Sequence, residues 1–196
     1  MGFSSPTRAS LLLRIRDPKD RLAWSEFVGV YAPLIHAYGR RRGLQDCDAA
    51  DLTQEVFHRV ARAAAAFEYD PAKGSFRGWL LAITRNELRK MVARQARQAR
   101  GAAETDVLRL LEQQVDGSDE EAWEREYQWN LFQWAANKVR VEFREPTWQA
   151  FWRTAVLATG VDQVARDLGL SPGAVYVARS RVTSRIRQEI EAVEEE

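Results

Sequence analysis

Cysteine, histidine and long apolar runs are what this chain has least of, and each shortage removes a class of function. Cys47 is the one cysteine in 196 residues, so no internal disulfide can form, which suits a reducing compartment. The two histidines are His36 and His58. Glu55 and His58 make a Glu-x-x-His pair, but a di-iron bundle needs a second pair and further carboxylates on facing helices. His36 cannot supply it, because Pro33 stands three residues before it. Asp46, Asp48 and Asp51 lack the glycine and terminal glutamate of a calcium loop. Phosphate-cradling glycine motifs and a nucleophile–base–orienter set are also missing. The chain is therefore expected to be no enzyme and to use no metal and no cofactor. No apolar run approaches the roughly 18 residues of a membrane span. Leu11-Leu12-Leu13 is interrupted at once by Arg14 and Arg16, which argues against a signal-peptide core. The expected location is cytoplasmic, without membrane insertion.

What the chain does have is charge, unevenly spread. A hydrophobic share of 45% and a charged share of 29% are those of a folded soluble protein. The formal net charge of +1 conceals a segregation: residues 1–100 carry +8, residues 101–147 carry −6, residues 148–190 carry +3, and the last six residues include four glutamates. Two basic modules separated by an acidic stretch offer two places to meet a polyanion.

The pattern is helical throughout. Ala, Leu, Arg, Glu and Gln dominate, and few segments alternate with period two. A first helix is expected over Leu22–Arg42, with Pro33 bending it or marking a junction and Gly43 ending it. Asp48 or Asp51 begins a second, running to about Ala66. An aromatic, glycine-bearing loop follows from Phe67 to Trp79, and a basic helix takes over near Trp79. At about 100° per residue, Leu80, Leu81, Thr84, Leu88, Met91 and Val92 share one face of it, while Asn86, Lys90, Arg94 and Arg97 share the opposite one. Cations beside rings are what capture of unstacked bases on a phosphate backbone requires. The other reading of those rings and cations is a bundle core and a solvated helix face.

Residues 101–120 read as a linker, with Gly101 and Asp116-Gly117-Ser118-Asp119 as breakers. A helix beginning near Glu120 carries Tyr127, Leu131, Trp134 or Ala135, and Val139 at helical spacing. Pro146 opens another, with Trp148, Phe151, Trp152 and Ala155 as its apolar stripe. The last part of the chain reads as a short helix (Val161, Val164, Ala165, Leu168), a positive-φ turn at Gly169, and a longer helix capped by Ser171 with Pro172 at its first position. The longer helix buries Val175, Ala178, Val182 and Ile186 and exposes Tyr176, Arg179, Ser180 and Thr183. Short helix, glycine turn and cationic second helix make a helix-turn-helix pattern, one shared by helical hairpins that bind no DNA.

On the second helix, Leu52, Val56, Val60 and Ala63 fall on one side, and Asp51, Gln54, Glu55, His58 and Arg62 on another. That polar side is either a solvated helix face with an acidic first turn or a docking surface for a basic helix of another protein.

The order of these motifs resembles an extracytoplasmic-function (ECF) sigma factor of the sigma-70 family. Asp48-Ala49-Ala50-Asp51-Leu52-Thr53-Gln54-Glu55-Val56-Phe57 is similar to that family's region 2.2. Gly74-Ser75-Phe76-Arg77-Gly78-Trp79-Leu80 with Ile83-Thr84-Arg85-Asn86 resembles regions 2.3 and 2.4. Val164-Ala165-Arg166-Asp167-Leu168-Gly169-Leu170-Ser171 with Ala174-Val175 resembles region 4.2. The resemblance implies an all-α protein of two small helical domains, a sigma-2-like bundle over 1–100 and a sigma-4-like helix-turn-helix over 121–196, joined by an acidic linker at 101–120. It implies docking of Asp48, Asp51, Gln54, Glu55 and His58 on the β′ clamp helices of core RNA polymerase, with the β flap as a further contact. Promoter DNA would be the other partner. Tyr69, Lys73, Ser75, Phe76, Arg77, Arg85, Asn86, Arg89, Lys90 and Arg94 would serve the −10 element, and Ser171, Ala174, Tyr176, Arg179, Ser180, Arg181, Thr183 and Arg185 the −35 element. The chain departs from the family at Ala174-Val175-Tyr176-Val177-Ala178, where many relatives have Thr-Val-Lys-Ser-Arg. The aromatic stretch from Trp123 to Trp152 reads either as a larger core or as a site for an inhibitory partner, an anti-sigma factor. The rival readings are a free-standing helix-turn-helix regulator and a helical adaptor that binds no DNA.

Overall fold

The computed structural model describes residues 9–64, 75–98 and 118–193, and every regular element among them is helical. In chain order these are α1 (Ala9–Arg14), α2 (Arg21–Arg41), α3 (Asp46–Ala64), α4 (Phe76–Gln98), α5 (Ser118–Arg140), α6 (Glu145–Phe151) with a π-helical turn over Trp152–Val156, α7 (Val161–Leu168) and α8 (Pro172–Val193). The chain divides into two compact units, within residues 1–130 and 131–194. The division falls inside α5. Residues 121–130, assigned by sequence to the C-terminal module, thus pack with the N-terminal one, while residues 101–117 lie outside the described residues.

In the N-terminal unit α2 packs on α3, and α3 on α4. Asp20 starts α2: its carboxylate accepts the Ala23 N–H at 2.9 Å and a pair of bonds from Arg14 at 2.8 and 3.0 Å. Pro33 lies on the exposed side and α2 runs through it. Gly43, at φ +85°, ends that helix as expected, because a left-handed residue there costs a glycine little. α3 begins at Asp46, two residues before Asp48. The core is lined with rings: Phe27 meets Phe57, Phe76 and Tyr31 at centroid distances of 5.8, 5.8 and 4.7 Å. The apolar face expected for α4 is buried at all six positions, Leu80, Leu81, Thr84, Leu88, Met91 and Val92.

The α2–α3 contact depends on a missing side chain. A Cβ on Gly39 would lie 3.1 Å from Leu52 Cδ2, 3.2 Å from Leu44 Cδ1 and 3.3 Å from Ala49 Cβ. Gly39→Val is therefore expected to destabilise the unit by about 1–3 kcal/mol through overpacking, read as a lower urea midpoint with an unchanged slope.

In the C-terminal unit, Ala135, Ala136, Val139, Trp148, Phe151, Val182 and Ile186 form one core cluster. Ala150, Val164, Ala165, Val175 and Ala178 form a second, which holds α7 against α8. The choice between Trp134 and Ala135 falls to Ala135, which is fully buried. The stripe expected after Pro146 holds at Trp148 and Phe151 and fails at Ala155, which is exposed. From Trp152 the backbone winds as a π turn, closed by Leu157 N–H to Trp152 O at 3.0 Å, so α-helical spacing no longer applies. Thr154 is buried instead, its hydroxyl donating to Ala150 O at 2.6 Å.

Candidate nucleic-acid interface

Three surfaces carry the expected functional residues. On α3, Asp51, Gln54, Glu55 and His58 are exposed and Asp48 is half-buried, while Leu52, Val56 and Val60 face the core. The five polar side chains make no ion pair with other described residues. A row of unpaired carboxylates on a rigid helix is free to meet a cationic partner. Ala63, expected on the buried side, is intermediate, and Ala64 is the buried residue there.

The second surface is α4, and here tertiary contacts regroup the candidates. Tyr69 and Lys73 lie outside the described residues. Ser75 caps the helix, its hydroxyl accepting the Gly78 N–H at 3.1 Å, so α4 starts at Phe76 rather than near Trp79. Phe76 is consequently in the first helical turn and 3% exposed, packed edge-on against Phe27 and Tyr31. Its ring belongs to the core and is not available to stack on a base.

Arg77 is also removed from the surface, at 3% exposure. Its Nε and Nη2 donate to the two Glu124 carboxylate oxygens at 2.9 and 3.1 Å. Its guanidinium lies over the Tyr127 ring, 4.5 Å from the centroid, and Tyr127 stacks on Tyr31 at 5.7 Å. Burial opposes the charge on Arg77, but Tyr127 and Glu124 outweigh it and its pKa is raised. Both Glu124 and Tyr127 come from the first half of α5.

Asp119, in the first turn of α5, gathers three donors. Arg42 pairs with it, Arg85 Nη2 donates at 3.3 Å, and the Tyr38 hydroxyl donates at 3.3 Å. Burial pushes the Tyr38 hydroxyl above its ordinary range, which keeps it a donor. Glu120 adds a longer contact to Arg85 at 3.6 Å, and Glu126 accepts from Arg41 at 2.7 Å. Arg77 and Arg85 are thus engaged with carboxylates, leaving Asn86, Arg89, Lys90 and Arg94 as the exposed polar face of α4. Lys90 donates to Glu87 at 2.8 Å, and Arg59 of α3 reaches the same carboxylate at 3.0 Å. Arg89 and Arg94 have no ion pair among the described residues. No sequence signal singled out Arg42, Arg59 or the acceptors Asp119 and Glu124, because their relation is across helices and not along one.

The third surface is the α7–α8 pair. Gly169 adopts φ +64°, and Ser171 Oγ accepts the Ala174 N–H at 3.1 Å. Val175, Ala178, Val182 and Ile186 are buried, and Ala174, Tyr176, Arg179, Ser180, Arg181 and Thr183 are exposed, as the periodicity predicts. The Arg179 guanidinium lies 5.6 Å from the Tyr176 ring centroid. Arg185 differs from its neighbours: it makes two 2.8 Å bonds to Glu142 and a further pair with Glu189. Lys138 meets Glu189 at 2.8 Å. Burial raises the Glu189 pKa, but Lys138 and Arg185 outweigh it and leave it lowered. Arg185 ties α8 to its own unit and has little freedom to reach a base edge.

Comparison with known proteins adds to this geometry at one end of the chain. The family model for sigma-70 region 2 matches residues 27–98, which run from the core of α2 to the end of α4. Residues 27–98 are thus similar to sigma-70 region 2. It is similar to the ECF RNA polymerase sigma factor SigE of Mycolicibacterium smegmatis, 36% identical over 92 residues, which is 47% of this chain and 34% of that protein. The match thus spans about a third of the relative's length. The matched residues span most of α2 together with α3 and α4, and the first half of α5 belongs to the same compact unit. The α7–α8 helix-turn-helix lies outside the matched residues. No helix among the described residues is long and apolar enough to cross a membrane.

Proposed function

We propose that this chain is a promoter-specificity subunit that acts only when bound to core RNA polymerase. The observation that carries the reading is the occurrence, in one short chain, of a sigma-70 region 2 with a free acidic face on α3 and a capped helix-turn-helix with an exposed cationic second helix. Asp48, Asp51, Gln54, Glu55 and His58 dock on the β′ clamp helices. The β flap is a further contact. Asn86, Arg89, Lys90 and Arg94 hold the non-template strand of the −10 element, together with the Tyr69–Lys73 segment. Stacking of a captured base on Tyr69 returns about 1–3 kcal/mol, which offsets part of the cost of local unpairing. α8 enters the major groove of the −35 element. Two weakly held DNA elements on one chain raise each other's effective concentration.

Reconstituted transcription tests this. The chain added to core polymerase is expected to give promoter-dependent transcripts on a genomic template, and their absence on every template rejects the reading. A free-standing regulator would instead bind duplex DNA tightly and specifically without polymerase, which a gel shift detects. An adaptor would do neither. An anti-sigma factor as a further partner would be found by capture on the full chain, with loss of transcription on its addition.

A further inference from the structure

The promoter-binding reading leaves open what α8 reads, and the exposed side of that helix restricts the answer. Measured by the helix period, the line furthest from the buried Val175, Val182 and Ile186 runs through Gly173, Val177, Ser180 and Ser184 and then, towards the C-terminal end, through Gln188 and Glu191, all of them exposed. A recognition helix meets base edges with its N-terminal part, and there Gly173, Val177, Ser180 and Ser184 have no side chain long enough for a two-pronged hydrogen bond to guanine or adenine, the usual polar means of direct readout. A line this shallow instead lets the helix backbone approach the floor of the groove closely. On that line Val177 is 58% exposed. The flanks carry the charge: Arg181 and Arg187 are exposed without an ion pair among the described residues, and Arg179 is held over Tyr176 at 5.6 Å. Flanking cations suit phosphates on either side of the groove.

The major groove offers donors, acceptors and one apolar group, the thymine C5-methyl. Seating Val177 against a donor or acceptor would strip that group of water and return no hydrogen bond, which is unfavourable. Seating it on a methyl buries apolar surface on both sides. We propose that Val177 reads thymine through its C5-methyl group, so that the −35 element bound by this chain contains a thymine at the base pair facing Val177. The inference rests on the promoter-binding reading above and concerns its specificity.

The test uses the full chain reconstituted with core RNA polymerase and a promoter library randomised across the −35 window. Enriched sequences are expected to hold a thymine at one fixed position. Replacing that thymine with deoxyuridine removes the methyl and leaves every hydrogen-bonding group in place. Affinity should fall by about threefold to tenfold, the scale of one buried methyl contact. Val177→Ala should lower affinity for the thymine promoter by a similar factor and should no longer distinguish thymine from deoxyuridine. Enrichment without a fixed thymine, equal binding of the two bases by the parent, or full discrimination retained by Val177→Ala would each overturn the assignment. Weaker core-polymerase binding by Val177→Ala with base discrimination intact would place Val177 against protein and would overturn it too. If no sequence is enriched at all, the promoter reading itself fails, a result distinct from enrichment that ignores the methyl.

Discussion

Arg77→Ala is expected to lower the stability of the N-terminal unit by about 2–4 kcal/mol, a fall of roughly 10 °C in its thermal midpoint. The substitution removes both Glu124 bonds and the guanidinium from the Tyr127 face at a position 3% exposed. Breaking a fully buried pair costs about 3–5 kcal/mol because the partner charge is stranded. Glu124 keeps 34% side-chain exposure, so water relieves part of that penalty, while the lost ring contact adds about 1 kcal/mol. Arg77→Lys should fall between parent and alanine, because an ammonium restores the charge and not the two-pronged geometry. Thermal unfolding of the full chain decides it: a loss under about 0.5 kcal/mol, the level of an ordinary surface change, would show that the pair does not hold the unit together. The consequence for function is direct. A transcription defect in Arg77→Ala reports on the fold first, and the proposed −10 contact is tested by variants of exposed residues such as Asn86 and Arg89.

Asp51→Arg is expected to weaken binding to core polymerase by tenfold or more while leaving the thermal midpoint unchanged. The stability half follows from the structure: Asp51 is exposed on α3 and pairs with no described residue. Such surface changes usually stay within about 0.5 kcal/mol. The binding half follows from the proposed docking face, where a reversed charge both removes an attraction and adds a repulsion. About 1.4 kcal/mol suffices for each factor of ten. Unchanged affinity for core polymerase, measured with a folded variant, would reject α3 as the docking helix.

Much of the helical pattern was legible because helix periodicity is a local property. The buried set on α4, the buried set on α8, the end of α2 at Gly43 and the turn from Gly169 to Ser171 all follow from spacing, capping and the steric freedom of glycine. Ala155 was misplaced because a π turn interrupts the period, and nothing in Trp152–Val156 announces one. Ser75 was a cap hidden inside a run that otherwise reads as loop, which is why Phe76 and Arg77 were expected on the surface and are found in the first turn of α4.

The acidic start of α5 shows the boundary between sequence and structure most clearly. Asp119, Glu120, Glu124 and Glu126 read by themselves as a solvated acidic stretch, while Arg77 and Arg85 read as part of a cationic face. The segregation of charge, with +8 in residues 1–100 and −6 in residues 101–147, contained a hint that the two attract. It could not say which residues meet, since a charge pattern has no geometry. The sequence by itself determined the helices, their buried sides and the motif order that marks region 2, because each is set by neighbours along the chain. Only the tertiary structure decided that Phe76 is core, that Arg77 and Arg85 face carboxylates of α5, and that Arg185 is tied down in its own unit. Those assignments depend on side chains far apart in sequence meeting across packed helices, the carboxylate pairs at separations of 34 to 47 residues and Phe76 against Phe27 and Tyr31.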